Sequence, residues 1–220
     1  MRSRLLEIYQ RLLRYFGHQD WWPARTRFEV ITGAILTQNT NWKNVEKAIA
    51  NLRKAGLLSP ERLAEVSEKE LCEYIRPSGF YKQKAKRLKC FLDFLKKYRY
   101  NLSLLFREDV HSLRRKLLAL NGIGPETADS ILLYAGNKLS FVIDAYTKRI
   151  FLRLGMGNPE GLLKYEQLQN FFQRNIPQRV DLYKEYHALL VELAKKHCRK
   201  EPVCNGCPLV DVCKFYRLTH

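Results

Sequence analysis

The chain has 220 residues, 46% of them hydrophobic, enough for one large domain or two small ones with a packed core, which excludes a disordered or low-complexity protein. Thirty-nine Lys and Arg against 22 Asp and Glu leave a net charge of +17, which points to a polyanionic partner such as nucleic acid, with non-specific polyanion binding as the plainer alternative. No run of about 18 apolar residues occurs, so a membrane span is excluded and the expected location is intracellular and cytoplasmic.

The start, Met1-Arg2-Ser3-Arg4-Leu5-Leu6, is basic like a targeting peptide, but Glu7 and the polar spacing through Arg14 fit an amphipathic helix better. Leu5, Ile8, Tyr9, Leu12, Leu13 and Phe16 predict that first helix, ended by Gly17. After Trp21-Trp22-Pro23, the residues Phe28, Ile31, Ile35 and Leu36 predict a second helix stopping near Gln38-Asn39-Thr40. Adjacent tryptophans alone are better explained by core or domain-interface packing than by a ligand. Gln38, taken alone, reads as an amide capping the preceding helix.

Val45, Ala48, Ile49 and Leu52 predict a third helix over 44–54, closed by Gly56, and short helices follow Ser59-Pro60 and Ser67. Arg76-Pro77-Ser78-Gly79 breaks the pattern. A long helix then carries Lys82, Lys84, Lys86, Arg87 and Lys89 outside Leu88, Phe91, Leu92 and Leu95, and these cations read either as a solvated face or as phosphate contacts. A helix over about 110–120 leads to Gly122-Ile123-Gly124-Pro125.

Gly122 and Gly124 permit a tight turn, and Pro125 suits a first helical position because its missing N–H needs no partner there. The amides of the helix that begins at Pro125 are then donors for a phosphate oxygen. Thr127, Ala128, Ile131, Leu132 and Ala135 form its inner face. Beyond Phe141-Val142-Ile143, Asp144 is placed to N-cap a helix bearing Tyr146, Lys148, Arg149 and Arg153. Helices over 145–154, 165–175 and 181–196 complete a chain with no strand pair, so the fold class is all-α.

Cys198, Cys204, Cys207 and Cys213 stand as Cys-x5-Cys-x2-Cys-x5-Cys, with Pro202, Gly206 and Pro208 turning the chain between them. Four thiolates at such spacing suit an iron–sulfur cubane or a zinc ion, and spacing does not separate the two. Cys72 and Cys90 stand apart and read as buried thiols.

The string Leu120-Asn121-Gly122-Ile123-Gly124-Pro125-Glu126-Thr127-Ala128, followed by Val142-Ile143-Asp144, resembles the helix-hairpin-helix and catalytic aspartate of the endonuclease III superfamily of DNA glycosylases. The resemblance runs over nearly the whole chain. Trp21-Trp22-Pro23, Leu36-Thr37-Gln38-Asn39-Thr40 and Arg76-Pro77-Ser78-Gly79-Phe80-Tyr81 are similar to one branch, the 3-methyladenine DNA glycosylase III group. The resemblance implies a two-lobed helix-hairpin-helix fold with damaged duplex DNA crossing the cleft and a monomeric protein. One lobe would span 23–137 and the other 1–22 with 138–220, including a four-cysteine cluster loop over 198–213.

It further implies a base pocket walled by Trp21, Trp22, Pro23 and Trp42, and a Gln38 that fills the gap left by a flipped nucleotide. Gly122, Ile123, Gly124, Pro125, Glu126, Thr127 and Lys148 would contact DNA, and Asp144 would serve the sugar chemistry. A cationic alkylated purine on aromatic faces gains about 0.5–2 kcal/mol beyond stacking. Bifunctional members carry a lysine two residues beyond the second glycine; this chain has Glu126 there, which implies base release without strand cleavage.

The implied cofactor is a four-iron cluster on the four C-terminal cysteines, with zinc as the alternative, although similar loops have six residues in the first gap where this one has five. The 3-methyladenine relatives, by contrast, lack the cluster. The expected activity is a monofunctional 3-methyladenine-type glycosylase. The alternatives are a uracil, thymine-mismatch or oxidised-pyrimidine glycosylase, or a non-catalytic binder of damaged DNA.

Overall fold

Polar caps and apolar spacing set the helix boundaries. The computed structural model describes residues 2–19, 22, 24–156 and 164–219, and among these there is no strand. The α-helices are α1 (Arg2–Phe16), α2 (Arg27–Leu36), α3 (Trp42–Lys54), α4 (Pro60–Glu65), α5 (Glu68–Ile75), α6 (Tyr81–Lys96), α7 (Leu102–Leu105), α8 (Val110–Leu118), α9 (Pro125–Ser130), α10 (Ala145–Arg153), α11 (Tyr165–Asn175), α12 (Val180–Lys196) and α13 (Lys214–Thr219). Thr26, Asn41, Ser59, Ser67, Asn101, Asp109 and Asp144 each accept an amide of the helix they precede. No helix among the described residues is long and apolar enough to cross a membrane.

The chain divides into two compact units, one of Trp22–Lys138 and one of Met1–Trp21 with Leu139–His220. The first is built around α2, whose residues from Phe28 to Leu36 are all buried. Ile31, Ile35, Leu52, Leu71, Leu88, Leu92 and Leu132 form its core, each contributing about 1.5–3 kcal/mol by leaving water. In the second unit, α12 packs on α1 and α10, and Phe141 stacks on Phe172 with centroids 4.1 Å apart.

Two of the α6 lysines depart from the exposed face predicted for them. Lys84 is 0% exposed and donates to the carbonyl oxygens of Leu36 at 2.8 Å and Ser78 at 2.6 Å. Lys89 reaches the carbonyls of Leu63, Ala64 and Val66 where α4 ends. Carbonyls at a helix end have no partner within the helix, so an ammonium that reaches them from a neighbouring helix closes that end. Burial, reinforced by the nearby Arg87 charge, lowers the Lys84 amine to about 8.

The helix that starts at Pro125 also departs from simple α geometry. Ile131–Ala135 forms a π turn, with the Gly136 amide bonding the Ile131 carbonyl at 3.0 Å. A Cβ at Gly136 would lie 2.7 Å from both the Leu132 oxygen and the Phe106 ring, so only glycine admits this close passage. Cys72 is buried as expected, whereas Cys90 is half-buried.

Candidate active site

Within the Trp22–Lys138 unit, the hairpin connects α8 to α9. Gly122 has φ 80°, Ile123 is buried, and Gly124 occupies the N-cap position of α9 without a side chain to cap it. Pro125 takes the first helical position. The first-turn amides of α9 therefore receive no side-chain cap from the residue before them, whereas α10 is closed by Asp144.

Gln38 binds the hairpin directly. Its Nε2 donates to the Gly122 carbonyl at 3.0 Å and to Thr127 Oγ1 at 2.8 Å, while its Oε1 accepts from Arg87 Nη1. Arg87 also lies over Gly122, where a Cβ would sit 2.6 Å from the arginine Cγ. One amide and one guanidinium thus hold the loop in shape before any ligand arrives. Arg114 adds a brace beneath it, with Nε and Nη2 donating to the two oxygens of Asp129 at 2.8 and 2.9 Å.

The aromatic residues form a second feature of the same unit. Trp22 meets Trp42 edge-on at 5.7 Å and Tyr134 at 4.8 Å. Both indoles cover Gly33 of α2, where a Cβ would lie 3.6 Å from each. Beside them is a cavity of about 170 Å³ lined by Trp22, Trp42, Glu29, Glu46, Ile49 and Arg53, together with Ala24. Glu29 is buried and paired with Arg53, leaving Glu46 as the second carboxylate on the wall. Trp21 and Pro23 lie outside the described residues. Phe80, which precedes α6, is 62% exposed and held at φ 47°, a conformation unfavourable for an aromatic residue.

Asp144 belongs to the other unit. The backbone leading to it is extended and tied to α11: Phe141 N–H donates to Gln173, Gln169 donates to Phe141 O, and Ile143 N–H donates to Tyr165 OH, at 3.0, 2.8 and 3.3 Å. Asp144 then caps α10, with Oδ1 accepting the Thr147 amide at 2.7 Å. Its Oδ2 lies 3.6 Å from Nε2 of His187 on α12. Burial pushes the carboxyl up, but His187 and Thr147 outweigh it and hold the group below the usual carboxylate range. Lys148, one turn along α10, places its ammonium 5.8 Å from the Tyr165 ring centre.

The four C-terminal cysteines are half-buried in this second unit. Arg149 and Arg153 of α10 hold their loop: Arg149 donates to the Cys198 carbonyl, and Arg153 reaches Cys198 Sγ at 3.3 Å and the carbonyls of Arg199 and Lys200. Burial, together with the charges of Cys198, Cys204 and Cys213, raises the Cys207 thiol to about 11. Ionised neighbours oppose the ionisation of Cys204 and Cys207, so thiolates gathered here require a cation among them. That donor set fits a cluster or zinc, although among the described residues no three ligating side chains are gathered at metal-enclosing distance.

Several of these partners were absent from the sequence reading. His187 lies 43 positions from Asp144, and no local pattern links them. Arg87 was visible only as one cation among five, and the pair Arg114 and Asp129 carries no local signal of its own.

An uncapped helix start behind a glycine hairpin, held in shape by Gln38 and Arg87, presents backbone N–H donors of the kind that suit a phosphate oxygen. The chain belongs to the HhH-GPD superfamily of base excision DNA repair proteins, whose family model matches residues 32–178. It is a DNA glycosylase of the endonuclease III type.

A Methanocaldococcus jannaschii protein that carries the name of a DNA repair glycosylase is 51% identical over 211 residues, covering 95% of each chain. Endonuclease III of Sulfolobus acidocaldarius is 30% identical over 196 residues, covering 88% of this chain and 84% of its own. Among solved structures, the H. pylori 3-methyladenine DNA glycosylase bound to 1,N6-ethenoadenine superposes with a TM-score of 0.75 at 31% identity, covering 89% of this chain and 95% of that one.

Proposed function

We propose that this chain hydrolyses the N-glycosidic bond of alkylated purines such as 3-methyladenine in duplex DNA and leaves the strand uncut. The observation that carries this reading is the cavity beside Trp22 and Trp42, which joins electron-rich rings to the carboxylate of Glu46, while Glu29 on the same wall is balanced by Arg53. Rings attract delocalised positive charge, and an acidic neighbour adds to that attraction. A methylated purine carries such a charge, whereas uracil and thymine do not. The H. pylori enzyme's name and ligand support the same choice.

The division of labour follows from the geometry of each part. The hairpin amides of Gly122, Ile123, Gly124, Glu126 and Thr127, with Lys148, bind backbone phosphate and give affinity without sequence preference. Pro125 orients that helix start without an amide of its own. Trp22 and Trp42, with Trp21 and Pro23, receive the flipped base. Phe80 presents an apolar ring suited to wedging between base steps, and Gln38 enters the vacated stack when its hairpin bonds are released.

Asp144 stabilises the oxocarbenium-like sugar and directs water onto it as the base departs. A cationic purine leaves as a neutral molecule, so the site needs little acid catalysis. Glu126 at the lysine position cannot form an imine, so no lyase step follows.

Cys198, Cys204, Cys207 and Cys213 hold a four-iron cluster, with zinc as the alternative, and four protein ligands leave no position open to substrate. Its work is then structural, ordering the loop that Arg149 and Arg153 attach to α10. Iron and sulfide analysis with visible absorption of the purified protein tests the cluster; stoichiometric zinc in its place overturns that assignment.

Base release and strand scission measured in parallel on duplexes containing 3-methyladenine, uracil and thymine glycol test the activity. Release from the methylated duplex alone, with breaks appearing only after hot alkali, is the expected result. Breaks without alkali, or a borohydride-trapped adduct, overturn the monofunctional reading. Release from uracil or thymine glycol alone overturns the substrate, and binding without any release assigns a non-catalytic role.

A further inference from the structure

We propose that His187 is a positioning residue for Asp144, aiming the second oxygen of the carboxylate and favouring its ionised form. The inference rests on Asp144 being the carboxylate that serves the proposed reaction. Oδ1 is committed to the Thr147 amide at 2.7 Å. That single bond anchors one end of the group and leaves its plane undetermined. Oδ2 is fixed only by what faces it, and Nε2 of His187 faces it at 3.6 Å.

The imidazole has little freedom to turn away. His187 is 4% exposed, in the middle of a helix whose neighbouring Tyr186 is locked by a 2.8 Å bond from its hydroxyl to the Leu5 carbonyl. Tyr9 of α1 packs on the same tyrosine ring. A buried histidine on an apolar face usually does no more than fill space. Here the residue across from it is a buried anion, and an anion taken from water without a counter-charge reverts to its neutral form.

Other ionisable groups on the packed elements have different partners. The Lys148 ammonium of α10 lies against the Tyr165 ring of α11, while the Tyr165 hydroxyl accepts from Ile143 N–H. Glu185 of α12 accepts the Gln19 amide. Tyr183 and Tyr186 of α12 are buried phenols, with ionisation pushed up by their surroundings. His187 is therefore the side chain placed to hold Oδ2 of Asp144.

The test is single-turnover base release from dimethyl-sulfate-methylated duplex DNA, from about pH 5 to about pH 9, by the full chain, His187→Leu, His187→Gln and Asp144→Asn. The wild-type rate should stay level to the acid end of this range, because Asp144 is held below the usual carboxylate range. In His187→Leu burial acts on the carboxyl without its imidazole partner, so an acid limb should enter the range, lowering the rate at about pH 5 and restoring it toward neutrality. His187→Gln keeps a donor in place of the imidazole, so its limb should rise less. Affinity for a duplex bearing an abasic analogue should be unchanged in both variants.

Wild-type profiles in both histidine variants overturn the inference, and the glutamine variant decides alone if the leucine variant does not fold. Asp144→Asn separates the two levels: full activity in that variant overturns the role of Asp144 itself, whereas an inactive Asp144→Asn beside unshifted histidine variants overturns only the role of His187. A wild type that releases nothing from methylated DNA overturns the substrate reading and, with it, this inference.

Discussion

Asp129 and Asp144 are both buried aspartates, one within α9 and the other capping α10, and their partners differ in kind. Asp129 meets the guanidinium of Arg114 through two parallel bonds at 2.8 and 2.9 Å, and an arginine keeps its proton at any working pH. Asp144 has one amide bond and, 3.6 Å away, the imidazole of His187. The first carboxylate is 0% exposed and the second 9%. A saturated carboxylate braces α8 against α9 and has no oxygen left for a substrate. A carboxylate held at one end, with some access, retains an oxygen for chemistry.

The sharpest way to break this contrast is to remove the charge from Asp144 and keep its shape. Asp144→Asn should lower single-turnover base release about a thousandfold, while melting changes little, because asparagine caps a helix as well as aspartate does. The reverse pattern belongs to Arg114→Ala. Leaving Asp129 buried without its cation should cost about 3–5 kcal/mol of stability, lowering the midpoint of a thermal melt by roughly 10 °C. Its base release per folded molecule should stay near wild type below that melt.

Smaller effects should sharpen the comparison on the hairpin side. Gly122→Ala meets both the φ of 80° and the Arg87 side chain, and should cost about 1–3 kcal/mol in stability, with weaker duplex binding in a titration at fixed salt. Gln38→Ala removes the bonds to Gly122 and Thr127 and should cost about 1–2 kcal/mol by denaturant melt. If Gln38→Ala instead melts like wild type, the amide contributes nothing to the hairpin of the free protein.

Much of the fold was legible because its cues are local. Ser59-Pro60, Ser67, Pro125 and Asp144 announce helix starts within four residues of the bonds they make, and α11 spans the predicted 165–175. The hairpin was legible for the same reason, since its glycines act on their own backbone. The contacts that give the site its chemistry are remote in sequence. Gln38 reaches Gly122 across 84 positions and His187 reaches Asp144 across 43, and neither residue type announces such a partner. The π turn at Ile131–Ala135 was hidden too, because an apolar run reads alike in either kind of helix until Gly136 and Phe106 are brought together.

The lysines of α6 carry a consequence for how this chain meets DNA. Lys84 and Lys89 point their ammonium groups at carbonyl oxygens inside the Trp22–Lys138 unit, and Arg114 is committed to Asp129. Such cations belong to the folded interior and displace no ions from a DNA backbone. Each phosphate contact contributes about 0.9 to the slope of log affinity against log salt. That slope counts surface contacts alone, so it will fall well short of what 39 basic residues suggest. Part of this chain's positive charge serves its own helix ends, and DNA encounters only the remainder.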